Sequence, residues 1–87
     1  MLFEKSKYEF MYAALMEAEY AAEKDEVPIG AVVVHKGRII GKGYNQVESL
    51  NDPTAHAEMI AITAACNHIG QKFLNECELY VTVEPCV

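Results

Sequence analysis

Residues 29–44 read Ile29-Gly30-Ala31-Val32-Val33-Val34-His35-Lys36-Gly37-Arg38-Ile39-Ile40-Gly41-Lys42-Gly43-Tyr44, and the fold class turns on them. Ile29 to His35 is rich in β-branched residues and lacks polar alternation, the pattern of a strand covered on both faces. Lys36-Gly37 is a two-residue hairpin turn, with Gly37 taking positive φ. Arg38 to Tyr44 returns as a second strand, loosened by Gly41 and Gly43.

Upstream, Ser6 to Glu23 carries apolar residues at three- and four-residue steps (Tyr8, Met11, Tyr12, Leu15, Ala18, Ala22), which predicts a helix burying that stripe. Ser6 with Glu9 fits a capping box. Lys24-Asp25-Glu26 reads as a polar exit, and Pro28 blocks continuation. Downstream, Asn45 to Pro53 is a polar loop. A second helix is predicted from about Thr54 to Ile69, capped by Asp52 or Thr54, with Pro53 in its first turn and Gly70 at its end. Met59, Ile60, Ile62 and Thr63 form its expected buried face. Glu78 to Val83 alternates, Leu79, Val81 and Val83 against Tyr80 and Thr82, and predicts a third strand. Glu84-Pro85-Cys86 reads as the opening of another helix.

Composition agrees with one small α/β domain over residues 1–87. The chain is 52% hydrophobic and 23% charged, so it is globular in type. Its formal charge of −6 argues against bulk electrostatic attraction to nucleic-acid backbones, though not against a local contact. No N-terminal apolar region resembles a signal peptide, and no apolar run approaches the ~20 residues of a membrane span. Cys66, Cys77 and Cys86 are an odd set without a signal sequence, which favours a reducing cytoplasm over a disulfide framework. His35 and His68 carry no partner pattern and are expected at the surface.

Three features carry chemistry: His56-Ala57-Glu58 at a helix start, Pro85-Cys86 at another, and Asn45 in the loop after a strand. An imidazole and a thiolate suit a zinc ion, which lowers the pKa of a bound water toward neutrality. A cysteine at a helix N-terminus is biased toward the thiolate. A carboxylate that is not a ligand can shuttle protons. Residues two apart on a regular helix do not share a face, so His56 and Glu58 converge only at the first turn. Singly, each has an ordinary explanation: a surface histidine, a first-turn carboxylate, a buried thiol, a turn asparagine.

Together with their context, the residues are more specific. Asn51-Asp52-Pro53-Thr54-Ala55-His56-Ala57-Glu58-Met59, followed by Thr82-Val83-Glu84-Pro85-Cys86, closely resembles the zinc-dependent cytidine/deoxycytidylate deaminase superfamily, and within it the bacterial tRNA-specific adenosine deaminases. Their H-x-E…P-C-x-x-C signature is a recognised pattern. The resemblance runs from the first helix to Cys86. It implies a three-layer α/β/α sandwich with a mixed sheet, here order 2-1-3 of the usual 2-1-3-4-5. It implies Zn2+ held by His56 and Cys86, Glu58 as general acid/base, and Asn45 with the Ala57 amide facing the base. The implied reaction replaces the C6 amine of adenosine in a tRNA anticodon loop by a water oxygen, giving inosine and ammonia.

The family's second cysteine is expected at position 89, and this chain ends at Val87. A catalytic zinc usually has three protein ligands, so the 87 residues alone are expected to be inactive. With the third strand left as a sheet edge, self-association is expected, with a homodimer as its form. Two alternatives stand beside the tRNA reading. One is a small-molecule deaminase of guanine, cytosine or deoxycytidylate, and the other is a non-catalytic fragment without zinc. Free-cytidine deaminases usually carry cysteine where His56 stands, which counts against that branch.

Overall fold

A computed structural model describes residues 5–70 and 75–83, with side chains from Tyr8 onward. The elements run α1 (Lys5–Glu23), β1 (Ile29–His35), β2 (Arg38–Tyr44), α2 (Val47–Leu50), α3 (Ala57–Ile69) and β3 (Cys77–Val83). The strands form one sheet in the order β2-β1-β3, as the resemblance implied. Both described pairings of β1 are antiparallel. Lys36 and Gly37 both have positive φ, 50° and 79°, which a type I′ hairpin requires and which matches the right-handed twist of the strands.

Alternation along β1 divides the core in two. Val32 and Val34 pack with Phe10 and Ala14 of α1, while Ala31 and Val33 pack with Ala57, Ala61 and Ala65 of α3. The molecule is therefore layered helix–sheet–helix. The register of β1 on β2 shifts between Val33, opposite Gly41, and Val34, opposite Ile39. Ile40 is the extra residue of this bulge. It sends Ile39 to the α1 side and Ile40 to the α3 side, where ordinary alternation would have put Ile39 and Gly41 on one face.

The helices bury only part of the faces that the apolar periodicity predicts, Ala18 of α1 and Ile62 of α3 among them. On α1 the buried residues are Phe10, Ala14, Ala18 and Ala21, whereas Tyr8, Met11 and Tyr12 are 56%, 41% and 64% exposed. Ala22 is also exposed. On α3 the buried residues are Ala57, Ala61 and Ala65, with Met59 exposed. The reason is close approach. A Cβ added at Gly30 would lie 2.1 Å from the Ala14 carbonyl oxygen, and one at Gly43 would lie 2.4 Å from that of Ala57. Helix backbones pressed onto strand glycines leave room only for alanine, so the large apolar residues turn outward.

Three further expectations need correction. Helix α3 begins at Ala57, with His56 in extended geometry (φ −82°, ψ 149°) as its N-cap, three residues later than predicted. Asp52 does not cap it. Its Oδ1 accepts from the Thr54 amide (2.8 Å) and hydroxyl (2.7 Å), making a local turn that uses Asp52, Pro53 and Thr54 before the helix starts. The polar loop contains the single turn α2. Gly70 does close α3 in left-handed conformation (φ 80°). The Ser6–Glu9 capping box rests on a side chain outside the described ones.

Strand β3 pairs Leu79, Val81 and Val83 with Val33, Ala31 and Ile29, so the three face the α3 side. Helix α3 lies over β2 and β1, leaving Leu79, Val81 and Val83 45%, 40% and 63% exposed. On the other face Tyr80 meets Phe10, ring centroids 5.4 Å apart. Among the described residues, no helix is long and apolar enough to cross a membrane.

Candidate active site

Strands β2 and β3 end, and β1 begins, at the same edge of the sheet. Ile29 pairs with Val83 on one side, and its carbonyl accepts the Asn45 amide (3.1 Å) on the other. The first turn of α3 lies over this end, its Ala57 carbonyl above Gly43. The Gln46 amide donates to the Ala55 carbonyl (2.9 Å), tying the end of β2 to the residue before His56. Asn45, His56, Ala57 and Glu58 thus share one end of the sandwich. The strand leading to Glu84-Pro85-Cys86 finishes there too. Those last residues lie outside the described part.

His56 makes no side-chain capping bond and is exposed, and Glu58 follows in the first turn, half-buried. The requirement that both occupy the helix tip is met. The first intrahelical bond at this end is from the Ile60 amide to the His56 carbonyl, which leaves the Ala57 amide without an intrahelical partner. Asn45 is only 4% exposed, and its Oδ1 has no hydrogen-bond partner among the described residues. A buried amide oxygen left unpaired costs about 1–3 kcal/mol, so it is an atom held ready for a donor from outside this set.

Residues around the site are more strongly bonded than the sequence suggests. Glu26, read as part of a solvated exit, is buried. It accepts from the Glu48 amide (2.9 Å) and from the amide and hydroxyl of Ser49. Burial pushes against its charged form, but the Ser49 hydroxyl and the two amides more than offset this and hold its carboxyl below the usual carboxylate range. The Thr54 hydroxyl and amide similarly lower Asp52. The signal that could have flagged Glu26 is its place one residue before Val27-Pro28, where a helix has already ended and the chain turns inward.

His35 is half-buried and His68 exposed, and both line a separate cleft at the opposite end of the sheet with Lys36 and Arg38. Cys66 lies within α3, and Cys77 opens β3 and packs against the α3-side core. Among the described residues no three His, Cys, Asp or Glu side chains are grouped closely enough to hold a metal. What is present at the sheet end is an imidazole on a helix tip, a carboxylate in the same first turn and the buried Oδ1 of Asn45, which has no hydrogen-bond partner among the described residues. Nitrogen and thiolate donors suit zinc, and the His56 side chain is not committed to a cap, so these residues fit one side of such a site.

Residues 4–87 match the cytidine and deoxycytidylate deaminase zinc-binding region, and the chain belongs to that family, whose cofactor is Zn2+. It is 58% identical over 78 residues to a tRNA-specific adenosine deaminase of Aquifex aeolicus, covering 90% of this chain and 52% of that protein. It is 54% identical over 77 residues to the chloroplastic tRNA(adenine(34)) deaminase of Arabidopsis thaliana, covering 88% of this chain and 6% of the other. A solved structure from a study of A-to-I editing by tRNA:A34 deaminases superposes with a TM-score of 0.85 at 52% identity, over 92% of this chain and 62% of that one. The guanine deaminase of Bacillus subtilis superposes with a TM-score of 0.80 at 42% identity, over 91% and 51%. The chain spans about half the length of the bacterial curated relatives it matches.

Proposed function

We propose that this chain supplies one side of a zinc-dependent hydrolytic deaminase site that converts adenosine 34 of tRNA to inosine. The observation that carries the reading is the buried Oδ1 of Asn45, without a partner among the described residues, on the segment that Gln46 and Ala55 tie to the tip of α3, where His56 and Glu58 stand. The names of the relatives, at 50–58% identity, favour the tRNA substrate.

In this reading His56 and Cys86 would hold the ion, which would supply activation of a water near neutral pH. Glu58 would carry a proton from the attacking water to the departing amine. Asn45 accepts from the base through its buried Oδ1, which has no partner among the described residues. The Ala57 amide, without a helical partner, donates to the base. Water contributes the new oxygen and the C6 amine leaves as ammonia. With tRNA as substrate, we infer a cytoplasmic location. In this reading residues 1–87 belong to a single domain of this kind, and the protein self-associates as a homodimer.

A second reading, a guanine deaminase, is favoured by the B. subtilis structure. Full-length protein should contain zinc by metal analysis and form inosine on an anticodon stem-loop, with little turnover of guanine, cytosine or deoxycytidylate. Turnover confined to guanine would replace the tRNA reading. Folded protein with neither zinc nor turnover would remove both. Sedimentation that shows only monomer across a wide concentration range would remove the dimer.

A further inference from the structure

Glu26 is the only charged residue among the described ones with less than a tenth of its surface exposed, and it sits far in sequence from the groups it holds. Its backbone is fixed first. The Glu26 amide donates to the Ala21 carbonyl (2.9 Å), and that of Asp25 to the Ala22 carbonyl (3.1 Å), with Asp25 left-handed at φ 59°. This is a Schellman closure of α1, and it sets the direction of the Glu26 side chain. The carboxylate then crosses to the 45–56 segment. Oε1 accepts from the Glu48 amide at 2.9 Å, and Oε2 accepts from the amide and hydroxyl of Ser49. Gln46, the N-cap of α2, makes no side-chain capping bond. The cap of that turn comes from Glu26.

The segment so held carries the candidate site at both ends. On one side of α2 stands Asn45, bonded by its amide to Ile29. On the other side, the Asp52 amide donates to Val47, Ala55 to Asp52 and His56 to Thr54, a relay of backbone bonds of 2.8–3.1 Å that ends at the helix tip. Gln46 and Ala55 close the loop on itself. By contrast α3 is held independently, by its alanines on Gly41 and Gly43.

We propose that Glu26 is a positioning residue for the deaminase site, holding the 46–50 turn so that the Asn45 carboxamide faces the base at a fixed distance from the α3 tip. The inference rests on the proposed function. Glu26 touches neither substrate nor metal and acts through Glu48 and Ser49. Because α3 has its own anchor, loss of Glu26 loosens the substrate side of the site and leaves the metal side in place. The signature is a rise in KM without a matching fall in kcat.

The substitution Glu26→Gln in the full-length protein keeps size but turns an amide donor toward donors already there. KM for an anticodon stem-loop should rise about tenfold or more, as loss of charged hydrogen bonds to a loop implies. Zinc content should stay unchanged and kcat should stay within about threefold, since the proton shuttle is untouched. Glu26→Asp, which retains the charge and both acceptor oxygens, should recover part of the KM. The Asn45 side-chain amide resonances should shift and broaden in Glu26→Gln without substrate. Should Glu26→Gln fail to fold, Glu26→Asp and Ser49→Ala give smaller changes of the same kind, to be read the same way. A wild-type KM, or unmoved Asn45 resonances, overturns the inference. An equal fall in kcat and zinc content also overturns it, by making Glu26 a general structural support. A wild-type protein without deaminase activity removes the functional reading, and the Asn45 resonances still decide the positioning role.

Discussion

Gly43 tests the geometry most directly, because one methyl group there acts on both the fold and the site. A Cβ at Gly43 would lie 2.4 Å from the Ala57 carbonyl oxygen, 2.7 Å from the Ala61 nitrogen and 2.9 Å from the Ile60 Cβ. Two of these are backbone atoms of α3, so no side-chain rotation relieves them. Ordinary contact begins at 3.4 Å, and the first turn of α3 must therefore retreat by about 1 Å. Overpacking of this kind costs about 1–3 kcal/mol, a substantial part of a total stability of about 5–15 kcal/mol. The same retreat carries His56 and Glu58 away from Asn45, and misplacement by about 1 Å can cost about 10²-fold in rate. Gly37→Ala is the control. Its Cβ meets nothing within 4 Å, and its φ of +79° makes the substitution costly for backbone reasons alone, by about 1–2 kcal/mol. It lies at the hairpin tip, at the far end of the sheet. Urea unfolding and kcat/KM, measured on both variants of the full-length protein, separate the two effects. Gly43→Ala should lose stability and about 10²-fold in kcat/KM, while Gly37→Ala should lose stability with activity intact. Equal activity in the two would refute the placement of the site at the α3 tip.

Asn45→Ala removes a buried oxygen that has no partner among the described residues. Its unfolding midpoint should move by no more than about 1 kcal/mol, while kcat/KM falls about tenfold or more. Large destabilisation with unchanged KM would assign Asn45 to structure alone. Glu58→Gln should lower turnover by about 10²–10⁴-fold with zinc retained, and normal turnover would remove it from the mechanism. Burial raises the Glu17 carboxyl above its usual range, and Lys42 pulls it back only in part. A raised carboxyl contributes stability that is fully present below the ordinary carboxylate pKa and is lost as pH rises through the raised value. Glu17→Gln should therefore raise the urea midpoint slightly at pH 7, by at most about 0.5 kcal/mol, with the gain gone in acid. A variant less stable than wild type at pH 7 would contradict this.

The parts of the fold that follow from short-range backbone chemistry were legible in the sequence. Gly37 after Lys36 dictated the hairpin, Gly70 closed α3, and the valines of β1 asked for cover on both faces. The position of the motif on the helix was legible for the same reason: His56 and Glu58 were expected at a helix start, and His56 is the N-cap of α3 with Glu58 in its first turn. The bulge at Ile40 left no local mark, because it depends on which face of β2 meets which helix. The N-terminus of α3 was misplaced because Asp52-Pro53-Thr54 has the composition of a cap but uses its bonds within its own turn.

Ala18 and Ile62 lie on the core side as expected, but the rest of the buried faces differs for a deeper reason. Periodicity weighs side chains by hydrophobicity and so selects Tyr8, Met11, Tyr12 and Met59. The packing here is set by how closely backbones approach, and so selects Ala14 and Ala18 over Gly30, and Ala57, Ala61 and Ala65 over Gly41 and Gly43. Matching alanine on a helix to glycine on a strand requires knowing which elements touch, which no window of sequence contains. The same close approach bears on the site. It brings the first turn of α3, which carries His56 and Glu58, down onto the end of β2, which leads into Asn45. A looser sandwich with larger residues at the interface would lift His56 and Glu58 away from Asn45. Gly43, which contributes no side chain to the chemistry, therefore sets the distance on which that chemistry depends.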